Sequence, residues 1–147
     1  QMMRELPRER LIIGVQAVAG AQGALDATVA YVQERQAFGQ TIGQFQNTRF
    51  TLARQATDIA ASRAFLNACI AAYQHGELTP EAVSALKLHT TELMGRVADA
   101  CLQLFGGYGY MAEYPIARFW TDARVLRIYG GTSEIMKELV ARGMLGR

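Results

Sequence analysis

Phe45-Gln46-Asn47-Thr48-Arg49-Phe50-Thr51-Leu52 opens a stretch, running to Gln74, in which Phe45, Leu52, Ile59, Leu66 and Tyr73 fall on a strict seven-residue repeat. Such a repeat is the seam of a helical bundle. No proline or glycine interrupts it, so the stretch predicts one long helix over 44–74, closed by His75-Gly76. Upstream, Gln36 to Gly43 is a polar, glycine-bearing connection. Before it, Leu11, Val15, Val18, Leu25, Val29 and Val32 form the apolar stripe of another helix. Pro7 pre-sets its start, Arg8-Glu9-Arg10 form its first turn, and it runs to about Arg35, on the order of 40 Å at ~1.5 Å per residue. Gly14, Gly20 and Gly23 thin that helix, so packing rather than propensity must hold it.

Downstream, Thr79-Pro80-Glu81 is a cap, an N1 proline and an acid, the start of a third long helix reaching Phe105. Leu86, Leu93, Val97, Ala100 and Leu104 are its predicted inner face. Gly106-Gly107-Tyr108-Gly109-Tyr110 closes it, and a shorter helical piece follows over Ile116 to Asp122. Val125 to Tyr129, dense in branched and aromatic residues, is the one stretch with strand character. Gly130-Gly131-Thr132 then breaks the chain before a last helix over Ser133 to Met144, with Ile135, Leu139 and Val140 on one side. The fold class this predicts is all-α: a single-domain, up-and-down four-helix bundle.

Half of the 147 residues are apolar, enough for a core. A net charge of +2 with scattered basic residues excludes an electrostatic footprint for nucleic acid. Leu11 to Leu25 is uncharged but short for a membrane span and carries Gln16 and Gln22, so no transmembrane segment is expected. Cys69 and Cys101 match no metal spacing and read as reduced core residues.

Chemistry is sparse. His75 and His89 are isolated, and no Ser-His-Asp or Cys-His set assembles. The two glycine loops are the informative features. Each lets the backbone approach a flat or phosphate-bearing ligand, and Thr132 or Ser133 can cap the helix that follows the second. Glu9 in a first turn complements the helix dipole, and Arg35 near a helix C-terminus does the same. From the residues alone, an α-bundle able to receive a nucleotide-like ligand is as far as the reading goes.

Arg35-Gln36-Ala37-Phe38-Gly39 with Phe45-Gln46, then Gln103-Leu104-Phe105-Gly106-Gly107-Tyr108-Gly109-Tyr110, then Glu113-Tyr114-Pro115, then Ile128-Tyr129-Gly130-Gly131-Thr132-Ser133-Glu134-Ile135 resemble the acyl-CoA dehydrogenase family. The likeness spans the whole chain but only that family's C-terminal helical domain; the family's N-terminal helical and middle β-domains lie outside it. It implies an FAD enzyme of fatty-acid metabolism, acting on an acyl-CoA thioester by α-proton removal and β-hydride transfer to the flavin. By position, Arg35, Phe38 and Gln46 resemble contacts to FAD held mainly by a neighbouring subunit. Gln103, Leu104, Phe105, Gly106 and Gly107 resemble the segment against its adenosine end. Thr132, Ser133 and Glu134 resemble the turn beside its phosphates. Implied partners are electron-transfer flavoprotein as acceptor and further copies of the subunit, as homodimer or homotetramer. The implied location is the bacterial cytoplasm or the mitochondrial matrix.

One departure decides the site. Many members carry the catalytic glutamate directly after the tyrosine of this motif, where this chain has Gly130. In the long-chain and isovaleryl branches the base instead lies early in the first long helix, within Glu-Arg-Leu, which Glu9-Arg10-Leu11 matches. The resemblance therefore implies Glu9 as the catalytic base, with Arg10, Gly130 and Gly131 at the substrate. The Gly130 amide is retained, and in the family it helps hold the thioester carbonyl. Two other readings stay open: a helical oligomerisation module inactive on its own, and an acyl-CoA oxidase-like relative that passes its electrons to oxygen.

Overall fold

The computed structural model describes residues 2–146, with side chains from Leu6 onward. Five α-helices lie among them: α1 (Met2–Glu34), α2 (Gln46–Gln74), α3 (Pro80–Phe105), α4 (Pro115–Val125) and α5 (Ser133–Leu145). α3 is the central rod, packed along α1 and also against α2, α4 and α5. Thr79 caps it as its sequence predicts, the Oγ1 accepting from the Ala82 N–H at 3.1 Å with Pro80 in the first turn.

α1 meets α3 through small residues. Ala17, Ala21 and Ala24 are fully buried, and a Cβ on Gly20 would strike the Met94 methyl. Close approach lets Leu93, Met94, Val97 and Cys101 of α3 fill the main core together with Ile116, Ala123 and Leu126. Each large side chain buried in this way contributes roughly 1.5–3 kcal/mol. A second cluster joins Leu11 and Val18 to Leu66, Cys69, Val83 and Leu86. By composition Leu6–Glu34 is long and apolar enough to cross a bilayer, but here its apolar side packs inside the bundle.

Several expectations need correction. α1 starts at Met2, so Pro7 lies inside it rather than at its start. Met2 to Leu6 are good helix formers, and the missing proline N–H removes one bond from one added turn. Val15 is 43% exposed, because the buried phase of α1 is set by the alanines and glycines rather than by every valine. In α2 the repeat holds at Ile59 and Leu66, while Tyr73 is exposed where the helix outruns its neighbours. On α3, Ala100 and Leu104 are half-buried; Val83, Met94, Ala98, Cys101 and Phe105 share the inner face with Leu86, Leu93 and Val97. In α5 Met136 and Ser133 point inward and Ile135 is exposed.

The two non-helical stretches also resolve differently. Gln36–Ala37 and Gln40–Thr41 pair as β1 and β2 of a tiny antiparallel hairpin. Its turn is Phe38-Gly39, at φ of 53° and 82°, the doubly positive geometry of a tight hairpin. Phe38 stands at the tip, 95% exposed and edge-on to Phe45. Val125 to Tyr129, in contrast, is no strand. It closes α4 as a turn, with the Ile128 N–H donating to the Val125 carbonyl at 2.9 Å.

Candidate active site

The face of α1 that bears Glu9 is built against the turn that joins α4 to α5. Glu9, Ile13 and Gln16 recur at helical spacing and so share one side. The Gln16 amide oxygen accepts from the Tyr129 hydroxyl at 3.1 Å, and the Ile13 Cδ1 lies 2.6 Å from where a Gly130 Cβ would stand. Glu9 is exposed, one turn before Ile13. Gly130 and Gly131 have φ of 66° and 102°, which favours glycine at both positions.

Beneath the turn lie two buried cations. The Arg10 Nε donates to the Gly130 carbonyl at 3.3 Å, and its Nη1 donates to the Ser84 Oγ at 3.3 Å. Lys87, 1% exposed, donates through Nζ to the Leu126 carbonyl at 3.2 Å and the Gly131 carbonyl at 2.7 Å. Burial pushes the Lys87 ammonium below its ordinary range, and the Arg10 charge pushes it the same way. Burial also lowers Arg10, with Glu9 opposing. Among the described residues, the ion pairs are those of Glu92 with Arg127 and Lys137, and of Glu138 with Arg142. Neither buried cation takes part in one.

Sequence reasoning passes over Lys87. Its signal is positional: Val83, Lys87, Thr90 and Met94 follow one another at helical spacing on the buried side of α3. A lysine in that phase either finds carbonyls or cannot stay.

The first glycine loop is held in another manner. Arg35, Gln103, Leu104, Phe105, Gly106 and Gly107 line one cavity of about 520 Å³, together with Tyr31 and Tyr108. The Phe105 ring belongs to the core, stacked on Tyr31 at 4.0 Å and edge-on to Tyr114. The Arg35 guanidinium sits 5.1 Å above the Tyr108 ring. A Cβ on Gly106 or Gly107 would meet nothing within 4 Å, so both present bare backbone to the cavity. Phe38 and Gln46 are exposed beyond its lining, at the hairpin tip and the first residue of α2.

Thr132, Ser133 and Glu134 form a third group, lining a cavity of about 200 Å³ with Arg124, Arg127 and Ile128. Thr132 caps α5 by accepting from the Ile135 N–H at 3.4 Å. The Glu134 carboxyl is held below its ordinary range, first by its own backbone N–H and then by the Thr132 hydroxyl. The buried Ser133 Oγ and Arg127 Nε lack a partner here. A helix N-terminus, an orphaned hydroxyl and two arginines fit a phosphate, and the open glycine backbone beside Arg35 fits a nucleotide. The residues present therefore suit FAD. A further cavity of about 540 Å³ between α3 and α4, walled by Trp120, contains none of the predicted site residues. The Ser62 hydroxyl donates to the Asp58 carbonyl at 2.8 Å, so His89 Nε2, 2.7 Å from Ser62 Oγ, is the donor in that pair; the serine is fully buried and no exposed nucleophile results.

Comparison with known proteins gives one family. Residues 1–145 match the model described as acyl-CoA dehydrogenase, C-terminal domain. The mitochondrial long-chain specific acyl-CoA dehydrogenase of Sus scrofa is 47% identical over 141 residues, which are 96% of this chain and 33% of that protein. The crystal structure of acyl-CoA dehydrogenase from Geobacillus kaustophilus aligns at a TM-score of 0.95 and 41% identity, over 97% of this chain and 38% of that one. Butyryl-CoA dehydrogenase from Megasphaera elsdenii aligns at 0.93 and 33% identity, over 99% and 38%. The chain thus spans about a third of the length of the relatives it matches.

Proposed function

This chain belongs to the acyl-CoA dehydrogenase family as its C-terminal domain, and we propose that it serves there in α,β-dehydrogenation of an acyl-CoA thioester, with Glu9 removing the α-proton. The observation that carries this reading is the packing around Gly130. Ile13 occupies the space a Gly130 side chain would need, and Lys87 closes it from below. This chain has no side chain at 130 to act as a base, whereas the α1 face packed against that position also bears Glu9, which is exposed.

In this reading the Gly130 amide receives the thioester carbonyl, so that charge gathering on that oxygen during proton removal meets a fixed donor. Glu9 approaches from the opposite wall as general base. FAD, when bound, supplies the hydride acceptor. Arg35 and Gln103 to Gly107 share one cavity, while Thr132 to Glu134 line another, and these two cavities share no lining residue. This supports assigning the two sets to two different FAD molecules, each site completed by a neighbouring subunit in a homodimer or homotetramer. Electron-transfer flavoprotein is the proposed acceptor for the reduced enzyme. The isolated domain lacks the remainder of the site and is proposed to be inactive.

The test uses the full-length protein. Wild type and Glu9→Gln are mixed anaerobically with a panel of acyl-CoAs while flavin absorbance is followed. Wild type should bleach, and Glu9→Gln should bind acyl-CoA yet bleach about 10²–10⁴-fold more slowly, the span of a general base. Equal bleaching removes Glu9 from the mechanism. A full-length protein that retains no flavin supports the oligomerisation module instead.

A further inference from the structure

We propose that Lys87 is a positioning residue for enolate formation: its buried ammonium ties the Leu126 and Gly131 carbonyls into one turn and, with Arg10, keeps positive charge beneath the Gly130–Gly131 backbone. The inference rests on the acyl-CoA reading above and assigns a role to a residue outside the substrate's reach.

The geometry comes first. Lys87 Nζ reaches the Leu126 and Gly131 carbonyls, and Arg10 Nε reaches the carbonyl of Gly130. The Leu126–Arg127, Gly130–Gly131 and Gly131–Thr132 peptides are therefore pinned from the interior. A trans peptide whose carbonyl is drawn inward sends its N–H the other way. These peptides carry the Arg127, Gly131 and Thr132 amides; the Gly130 amide is held through the turn itself, because the Leu126 carbonyl before it and the Gly131 carbonyl after it are both tied to Lys87. The φ of 66° at Gly130 would otherwise be one of several accessible to a glycine.

Charge is the second part. An apolar side chain of similar length would fill this space without the cost of desolvating an ammonium. A lysine here brings something that packing does not require. Among the ionisable groups of the surrounding elements, Arg10 of α1 acts on Lys87, and Glu9 acts on Arg10. Neither cation is ion-paired among the described residues; Glu9 offsets part of the Arg10 charge, whereas the one charged group that acts on Lys87 is Arg10. A negative charge developing above the turn is attracted by both, and more strongly than it would be in water.

The experiment uses full-length FAD-containing protein as wild type, Lys87→Gln, Lys87→Met and Lys87→Arg. Two probes are bound: acetoacetyl-CoA, whose α-carbon ionises to an enolate seen by its absorbance, and an enoyl-CoA, which stays neutral. Gln keeps two N–H donors without charge, Met keeps neither, and Arg keeps both. The expected result is that Gln and Met bind the enoyl-CoA nearly as wild type does, but ionise acetoacetyl-CoA at a pH about one unit higher, a tenfold loss for the enolate. Arg should restore the profile. An unchanged ionisation profile in folded Lys87→Gln overturns the proposal. So does an equal loss of affinity for both probes, or failure of Gln and Met to fold where Arg folds, since either assigns Lys87 to the fold alone. If wild type itself binds neither probe, it is the acyl-CoA reading that fails.

Discussion

Two glycine loops end helices in this molecule, and they are supported by opposite means. The Gly106-Gly107 loop rests on aromatic rings: Phe105 stacks on Tyr31, and Tyr114 packs edge-on to both. The Gly130-Gly131 turn rests on two buried cations that hold carbonyls at 2.7 to 3.3 Å. Rings set the position of the first platform, whose peptides are held by neutral donors such as the Tyr31 hydroxyl on the Phe105 carbonyl at 3.4 Å; the second is held by charged donors. The first suits a surface against which a ligand lies. The second suits a surface that must answer a change of charge.

That contrast can be tested from its largest effect downward. Phe105→Ala should cost about 3–5 kcal/mol in denaturant unfolding, as expected for loss of a buried aromatic ring. Gly131→Ala should cost roughly 1–3 kcal/mol, from a φ of 102° and a Cβ against the Met136 methyl. A loss larger than that of Phe105→Ala would mean the cation-held turn, not the aromatic platform, is the stability centre. Gly107→Ala should change stability by less than about 0.5 kcal/mol, having open space and no positive φ. It should nonetheless weaken retention of FAD by the full-length protein, measured by ultrafiltration, because the methyl stands where the nucleotide is proposed to lie. Unchanged retention removes that segment from the cofactor site.

The smallest effect is a divergence with alkaline pH. Burial raises Tyr31 above its ordinary value of 10.0, with Arg35 opposing, so its contribution is present below pH 10 and is lost as the pH rises through its folded value. Lys87 is depressed from 10.5, so its contribution is present above that value and is lost as the pH falls through its folded value. Urea midpoints of wild type minus Tyr31→Phe should therefore fall above pH 10. Those of wild type minus Lys87→Met should rise as the pH approaches 10.5. Parallel slopes would erase the distinction between the loops.

Much of the bundle is legible in the chain. The repeat through Ile59 and Leu66, the Thr79-Pro80 start and the glycine ends mark helices that tertiary packing then keeps. Reading large apolar residues as the only sign of a core misplaces α1, whose contacts are alanines and glycines, and α5, whose inward residues are Ser133 and Met136. The candidate site is legible only in part. Its glycines and Glu9 stand out, but the support for the turn comes from Arg10 and Lys87, residues distant in sequence whose burial exists only after α1, α3 and the α4–α5 turn meet. Polar side chains in the buried phase of a helix are the signal that points to them.

Phe38 remains a debt the domain carries alone. A phenylalanine at φ 53° is strained, and at 95% exposure its ring leaves an apolar surface in water. Both costs are borne before any encounter, so the hairpin enters one already shaped. A surface that covers the ring gains its burial without having to bend the loop, so less ordering cost is subtracted from the affinity of that encounter.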